Sequence, residues 1–131
     1  MKLEVEHAIE QIRLQFPAST VLVKEDGQGG AYVVVDSVDL GEKYTVSTRA
    51  TWIGFLIPFQ YPFADIYPHH ARPDLTRVDG QPLGEGMGLS RFEGFGRDST
   101  QFSRRSNHRD SALETALHKL LKVIQWAKTR P

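Results

Sequence analysis

Between residues 20 and 57 the sequence leaves room for only one kind of sheet. Short runs rich in β-branched and aromatic residues fall at 20–24, 31–35, 44–50 and 51–57. The first two are separated by Asp26-Gly27-Gln28-Gly29-Gly30, and the second and third by a connection through Asp39-Leu40-Gly41-Glu42, both turn signals. A parallel pair needs a crossover of about a dozen residues or more, so strands joined this closely run antiparallel. The apolar run at 31–35 suits a central strand. Residues 44–50 alternate, with Tyr44, Val46 and Thr48 on one side and Thr45, Ser47 and Arg49 on the other. Residues 51–57, TWIGFLI, continue that strand, and Gly54 inside it predicts a bulge or a close approach of another group to the backbone.

A helix is predicted on each side of this meander. Over residues 2–16, Val5, Ala8, Ile9, Ile12 and Phe16 form one apolar stripe, with Glu4, Glu6 and Glu10 mostly off it. Pro17 ends the helix, because the residue before a proline is pushed out of the helical region. His7 lies beside the stripe and reads as a packed or half-exposed side chain rather than a ligand. Over residues 111–128, Leu113, Ala116, Leu117, Leu120, Leu121, Ile124 and Ala127 recur at helical spacing. Ser111 and Glu114 are spaced as a capping box, which starts the helix at Ser111. Lys119, Lys122 and Lys128 lie towards its C-terminal end, where the helix dipole favours cations; His118 reads as a surface residue. The whole, residues 1–131, reads as one α+β domain with the second helix packed on the sheet.

Residues 58–110 carry neither period. Unstructured connections longer than about fifteen residues are uncommon in compact domains, and are functional or disordered. This one is rich in Tyr, Phe, His and Arg, a composition that disfavours disorder. It is expected to be a packed functional loop for which the rest is scaffold. Pro58, Pro62, Pro68, Pro73 and Pro82 argue against a long central strand within it. Residues 80–96 hold six of the eleven glycines and read as a flap that Phe92, Phe95 and Phe102 pin to the core. They lack the Gly-Lys-Ser/Thr ending of a phosphate-binding loop.

Bulk charge and cysteine usage narrow the chemistry. Formal net charge is zero, so no nucleic-acid partner is expected. The distribution is uneven: residues 1–65 hold five Lys/Arg and nine Asp/Glu, residues 66–131 eleven and seven. The chain has no cysteine, which excludes disulfides, thiolate metal ligands and a thiol nucleophile. No apolar run reaches the length of about eighteen residues needed to span a membrane, and the acidic, amphipathic start is unlike a signal peptide. A cytoplasmic protein without a membrane partner or cofactor is expected. His69, His70, Asp74 and His108 match no standard metal-site spacing, and no metal is expected.

The order helix, antiparallel meander, Tyr-Pro-Phe corner, His-containing segment, long loop, helix resembles the ubiquitin-conjugating (E2-like) fold. Ile57-Pro58-Phe59-Gln60-Tyr61-Pro62-Phe63 resembles the stretch in which that family's third strand runs into a Tyr-Pro-Phe/Tyr corner. Ile66-Tyr67-Pro68-His69-His70 resembles the segment that leads into its His-Pro-Asn motif. The resemblance covers most of residues 2–128 and is nearest to divergent bacterial E2-like proteins of ubiquitin-like conjugation systems. The chain departs from the family in lacking Pro-Pro after the corner, in having His69-His70-Ala71 for His-Pro-Asn, in lacking the C-terminal helices, and in lacking the catalytic cysteine. The resemblance implies as partners a ubiquitin-like protein, an E1-like activating enzyme and a target protein. Tyr61, Pro62 and Phe63 then form a structural corner.

In that family the nucleophile lies between the His motif and the next helix. This chain offers Ser90, Ser99, Thr100, Ser103 and Ser106 there. The segment 101–109, QFSRRSNHR, is nearest the expected place, with Ser103 as the first candidate acceptor and Ser106 as the second. A serine can carry an acyl group as an oxyester if a base activates it. His69, His70 or His108 are candidate bases. Asn107 is a candidate oxyanion donor, and Arg104 and Arg105 are candidate contacts to the partner's acidic end. Other readings stand beside this one. Residues 103–107 also read as a plain polar loop, and His69-His70 as a corner packed against Tyr67 and Phe63. The chain then reads as a binding adaptor without catalysis, or as an unrelated hydrolase or nuclease using the His/Arg loop.

Overall fold

The computed structural model describes every residue except Asn107, His108 and Ala112. Its elements are α1 (Leu3–Gln15), β1 (Val21–Glu25), β2 (Ala31–Asp39), β3 (Ala50–Ile57), β4 (His69–Ala71), β5 (Met87–Phe92), a single 3-10 turn (Glu93–Phe95), β6 (Arg97–Phe102) and α2 (Ala116–Thr129). The strands form one six-stranded antiparallel sheet in the order β1-β2-β3-β4-β6-β5. The chain is therefore α+β. Among the described residues no helix is long and apolar enough to cross a membrane.

The stripe that α1 was expected to bury is buried: Val5, Ala8, Ile9 and Ile12 meet Leu120, Val123 and Ala127 of α2 and Val33, Val35, Ile53, Phe55 and Ile57 of the sheet in one core. Both helices thus lie on one face. The fully buried Tyr44 fixes α2 from the side by donating its hydroxyl to the Ala127 carbonyl at 2.7 Å. On the other face the tip of the β5–β6 hairpin folds back over the sheet. Phe92 lies over Gly54, where a Cβ would stand 2.5 Å from the ring. Gly54 therefore serves close approach, and the bulge falls instead in β2, between Val35 and Val38, where Ser37 adopts φ 60°.

Three expectations need correction. Residues 44–49 are not a strand; β3 begins at Ala50. Thr48 and Arg49 both donate backbone N–H to the Thr45 carbonyl, and the Thr45 and Thr48 hydroxyls meet at 2.6 Å, closing a turn. Only Tyr44 pairs, with Arg77. The expected common side of Tyr44, Val46 and Thr48 is broken: Tyr44 and Thr48 are buried while Val46 between them is exposed, a spacing of four that a turn packed on one side produces.

Residues 58–110 are not one loop. They contain β4, β5 and β6, half of the strands in the sheet. β4 is central but only three residues long, held between Pro68 and Pro73, so its length agrees with the proline argument. β5 is an edge strand whose middle four residues are exposed, which hides it from a search for apolar alternation. The expected flap at 80–96 is largely this hairpin, turned by Glu93–Phe95 and the left-handed Gly96.

The second helix begins four residues later than the capping box implied. Thr115 is its N-cap, accepting from the His118 N–H at 3.1 Å. The Ala116 N–H, another free donor at the helix start, donates to the Tyr61 hydroxyl at 3.1 Å. Thr115→Ala is expected to lower stability by about 1 kcal/mol, and Ser111→Ala to change it by less than about 0.5 kcal/mol. Denaturant midpoints of the two variants check this; equal losses would restore the earlier start.

Candidate functional site

Ser106 lies where the segment after β6 crosses α2, and it is fastened on three sides. Its N–H donates to Asp65 Oδ2 at 2.9 Å, and its hydroxyl donates to Glu114 Oε1 at 2.8 Å. Lys119 Nζ donates to Ser106 Oγ at 2.8 Å and pairs with Asp65 at 3.0 Å. Glu114 is held further by Lys122 Nζ at 2.7 Å and Arg109 Nε at 3.2 Å. The hydroxyl therefore stands between an ammonium and a carboxylate.

Both charges are deep. The Lys119 side chain is 3% exposed and that of Glu114 is 7% exposed. Burial lowers the pKa of Lys119 below the ordinary lysine value, outweighing the pull of Asp65 and Glu114 in the other direction. Burial also acts to raise both carboxyl groups, yet each ends below its ordinary value. For Asp65 the Ser106 N–H and Lys119 prevail; for Glu114, Lys122 and Ser106 do. Asp65 and Glu114 thus remain ionised through the neutral range, and the cluster holds together as ions rather than as neutral acids.

Ser106 and Lys119, with Arg104, Arg105, Lys122 and Val123, line a recess of about 100 Å³. A wider groove of about 450 Å³ adjoins it across Arg104 and Arg105 and runs between Tyr67 and Trp126 past Ser103, Glu85 and Gly86. The Arg105 guanidinium stacks 3.8 Å from the Tyr67 ring centre, and that of Arg130 lies 4.5 Å from the Trp126 ring centre.

The other sequence candidates separate. Ser103 is exposed in the groove; its hydroxyl accepts from Gln101 Nε2 at 3.1 Å and has no carboxylate or histidine partner among the described residues. His69 and His70 do not serve these hydroxyls. They are neighbours on a strand, so their side chains leave opposite faces of the sheet. His69 enters the core, fully buried against Phe55 with ring centres 5.0 Å apart, and neither ring nitrogen has a hydrogen-bond partner among the described residues. Burial, with Lys119 adding to it, pushes its pKa down to about 3. His70 stacks on Phe92 on the far face, and its Nδ1 bonds Ser99 Oγ at 2.9 Å. Neither histidine is hydrogen-bonded to Ser103 or Ser106. The corner reading also changes, since Phe63 is 79% exposed and takes no part in holding the histidines.

Tyr61 is buried and caps α2 as described, and the Pro62 carbonyl accepts from Arg109, so the corner clamps the segment that carries the site. Tyr61-Pro62 is a cis peptide. Asn107 and His108 lie outside the described residues. Among the described residues no group of three or more His, Asp or Glu side chains is placed to hold a metal ion.

Sequence reasoning missed Asp65, Glu114 and Lys119 as site residues. Lys119 did carry a signal. It lies three residues after Ala116 and four before Val123, both buried, so it is a lysine on the apolar face of the helix. A cation there needs buried partners. Comparisons with protein-family models, with curated proteins and with solved structures gave no match.

Proposed function

We propose that this chain is an E2-like acyl carrier of a ubiquitin-like conjugation pathway, and that it holds the modifier's C-terminus as an oxyester on Ser106. The observation that carries the reading is the Ser106 hydroxyl, flanked at 2.8 Å by Lys119 Nζ and at 2.8 Å by Glu114 Oε1 at the mouth of a basic recess. The arrangement of the fold supports it. A helix, an antiparallel meander, a Tyr-Pro corner and a short His-bearing strand precede Ser106, and a helix follows. The β5–β6 hairpin stands between that strand and Ser106, and it is the sequence resemblance that makes this interval the one for a nucleophile.

In this reading the modifier arrives as a thioester on an E1-like activating enzyme. Ser106 Oγ attacks the carbonyl carbon, the C–O bond forms, and the C–S bond breaks. The hydroxyl proton passes by way of Glu114 and ends on the departing thiolate. Lys119 offsets the negative charge that develops on Oγ, as a fixed buried cation does well in a water-poor site. A second reading, a binding adaptor without catalysis, draws on the low pKa of Glu114, which makes it a weak base, and on the Asp65–Lys119 pair, which completes the cluster without a ligand.

The test is reconstitution with the ubiquitin-like protein, the E1-like enzyme and ATP, read by intact mass. The expected adduct has the mass of the modifier less one water, resists thiols and is cleaved by hydroxylamine. It is lost in Ser106→Ala and kept in Ser103→Ala. An adduct that persists in Ser106→Ala sinks the assignment. No adduct with any variant, while a complex with either partner survives Ser106→Ala, selects the adaptor.

A further inference from the structure

Four of the ten arginines pair with carboxylates, Arg13, Arg49 and Arg130 donate to backbone carbonyls, and Arg97 lies over the Trp52 ring. Arg72 pairs with Asp74, Arg77 with Asp79, Arg91 with Asp98, and Arg109 with Glu114. Arg104 and Arg105 are different. Both are exposed, and neither has a carboxylate partner among the described residues. They form the ridge shared by the wide groove and the small recess that contains Ser106. Arg105 is held against Tyr67 by its ring stack at 3.8 Å, so its guanidinium is oriented before any ligand arrives. Two adjacent exposed guanidinium groups without a carboxylate partner, on the ridge of a groove that holds one carboxylate, Glu85, leave a surface complementary to negative charge.

We infer that the groove selects an extended acyl-donor tail bearing an acidic side chain close to its C-terminus, read by Arg104 and Arg105. This rests on the carrier reading, because the tail's acyl end is what brings it to Ser106. Extended chain advances about 3.3 Å per residue, so a carboxylate within about two to four residues of the acyl carbon reaches guanidinium groups one and two positions before Ser106. The aromatic walls, Tyr67 and Trp126, give the aliphatic parts of the tail a surface to lie on. Planar guanidinium groups favour carboxylates by two parallel hydrogen bonds, so the selection is by geometry as well as charge.

The experiment uses the full chain and fluorescein-labelled, C-terminally amidated heptapeptides, identical except for Glu, Ala or Lys at the third position from the end. Fluorescence anisotropy at low salt is expected to show the Glu peptide binding about tenfold more tightly than the Lys peptide, with Ala between. Arg104→Gln/Arg105→Gln is expected to erase the order while leaving the melting temperature unchanged. Ser106→Ala is expected to retain it. Equal binding of the three peptides, or an order unmoved by the double variant, overturns the inference. Displacement of the Glu peptide by a short single-stranded RNA at lower concentration than by unlabelled peptide overturns it in favour of a nucleic-acid ligand. An adduct on Ser106 without any acidic preference removes this inference alone. Acidic preference without an adduct removes the carrier reading and leaves an acidic-tail adaptor.

Discussion

Lys119→Met is expected to lower the stability of the protein by about 3 kcal/mol, well beyond the effect of an ordinary surface substitution. Methionine keeps most of the aliphatic stem that lies against the core, so the loss isolates the ammonium. With the ammonium gone, Asp65 is left with the backbone N–H groups of Ser106 and Ile66 and no paired cation, and its side chain is 20% exposed. A carboxylate stranded in this way costs more than the pair contributes, because the pair has already met the cost of leaving water. Glu114 suffers less, since Lys122 and Arg109 remain. Asp65→Asn in the Lys119→Met background is therefore expected to recover a large part of the loss. A double-mutant cycle from urea midpoints should show a coupling of about 1.5 kcal/mol or more between the two residues. Independent, additive losses would show that Lys119 is held by something other than Asp65.

The same substitution separates structure from chemistry at Ser106. In Lys119→Met the hydroxyl keeps Glu114 as acceptor and loses its cationic donor. If Lys119 stabilises charge on Oγ, adduct formation should fall by about a hundredfold under conditions where the variant is fully folded. If the cluster is only a fastening, the adaptor's partner binding should follow the folded fraction and nothing else.

How much of this was legible beforehand depends on which physical term governs each element. α1 and the core face of α2 follow from apolar period, because burial on one helix face leaves that trace directly. β2 and β3 follow from β-branched runs between turn signals. The β5–β6 hairpin left no such trace: Leu89 is 84% exposed on an edge strand, and the order of the hairpin comes from pairing with β6 rather than from a buried face. β4 is set by its neighbours, since three residues between prolines carry no pattern of their own. At the site, Ser106 was named with Ser103 on chain position alone. The preference between them comes from Asp65, Glu114 and Lys119, which are brought together over 54 residues of chain, and local spacing cannot report such a meeting. Glu114 misled in a specific way. Its distance from Ser111 fits a cap, whereas its carboxylate is used by Ser106, Arg109 and Lys122.

Acid sensitivity should trace to His69. Its ring is fully buried, with neither nitrogen bonded among the described residues and Lys119 adding repulsion, and its pKa is pushed down to about 3. Unfolded, the same ring titrates near 6.5. Between these values the unfolded chain binds a proton that the folded protein does not, so stability falls as pH falls from about 6.5 towards 3, and is fully present above 6.5. The slope approaches about 1.4 kcal/mol per pH unit, so stability should drop by about 2 kcal/mol between pH 6 and 4.5 from this group alone. His70 adds in the same sense, since burial lowers its pKa too. The facing carboxylates do not confuse the window. Asp65 and Glu114 are held below their ordinary values, so their contribution is lost only at lower pH, through the carboxylate range and beneath it. His69→Phe removes the titrating ring and places an aromatic side chain beside Phe55. Urea midpoints across pH 4.5–7 should then show a flatter curve than the parent by about one proton, whatever the variant's stability at pH 7. A parent curve already flat over that range would mean that His69 protonates without unfolding, and that its ring finds a partner or water on the helix side of the sheet.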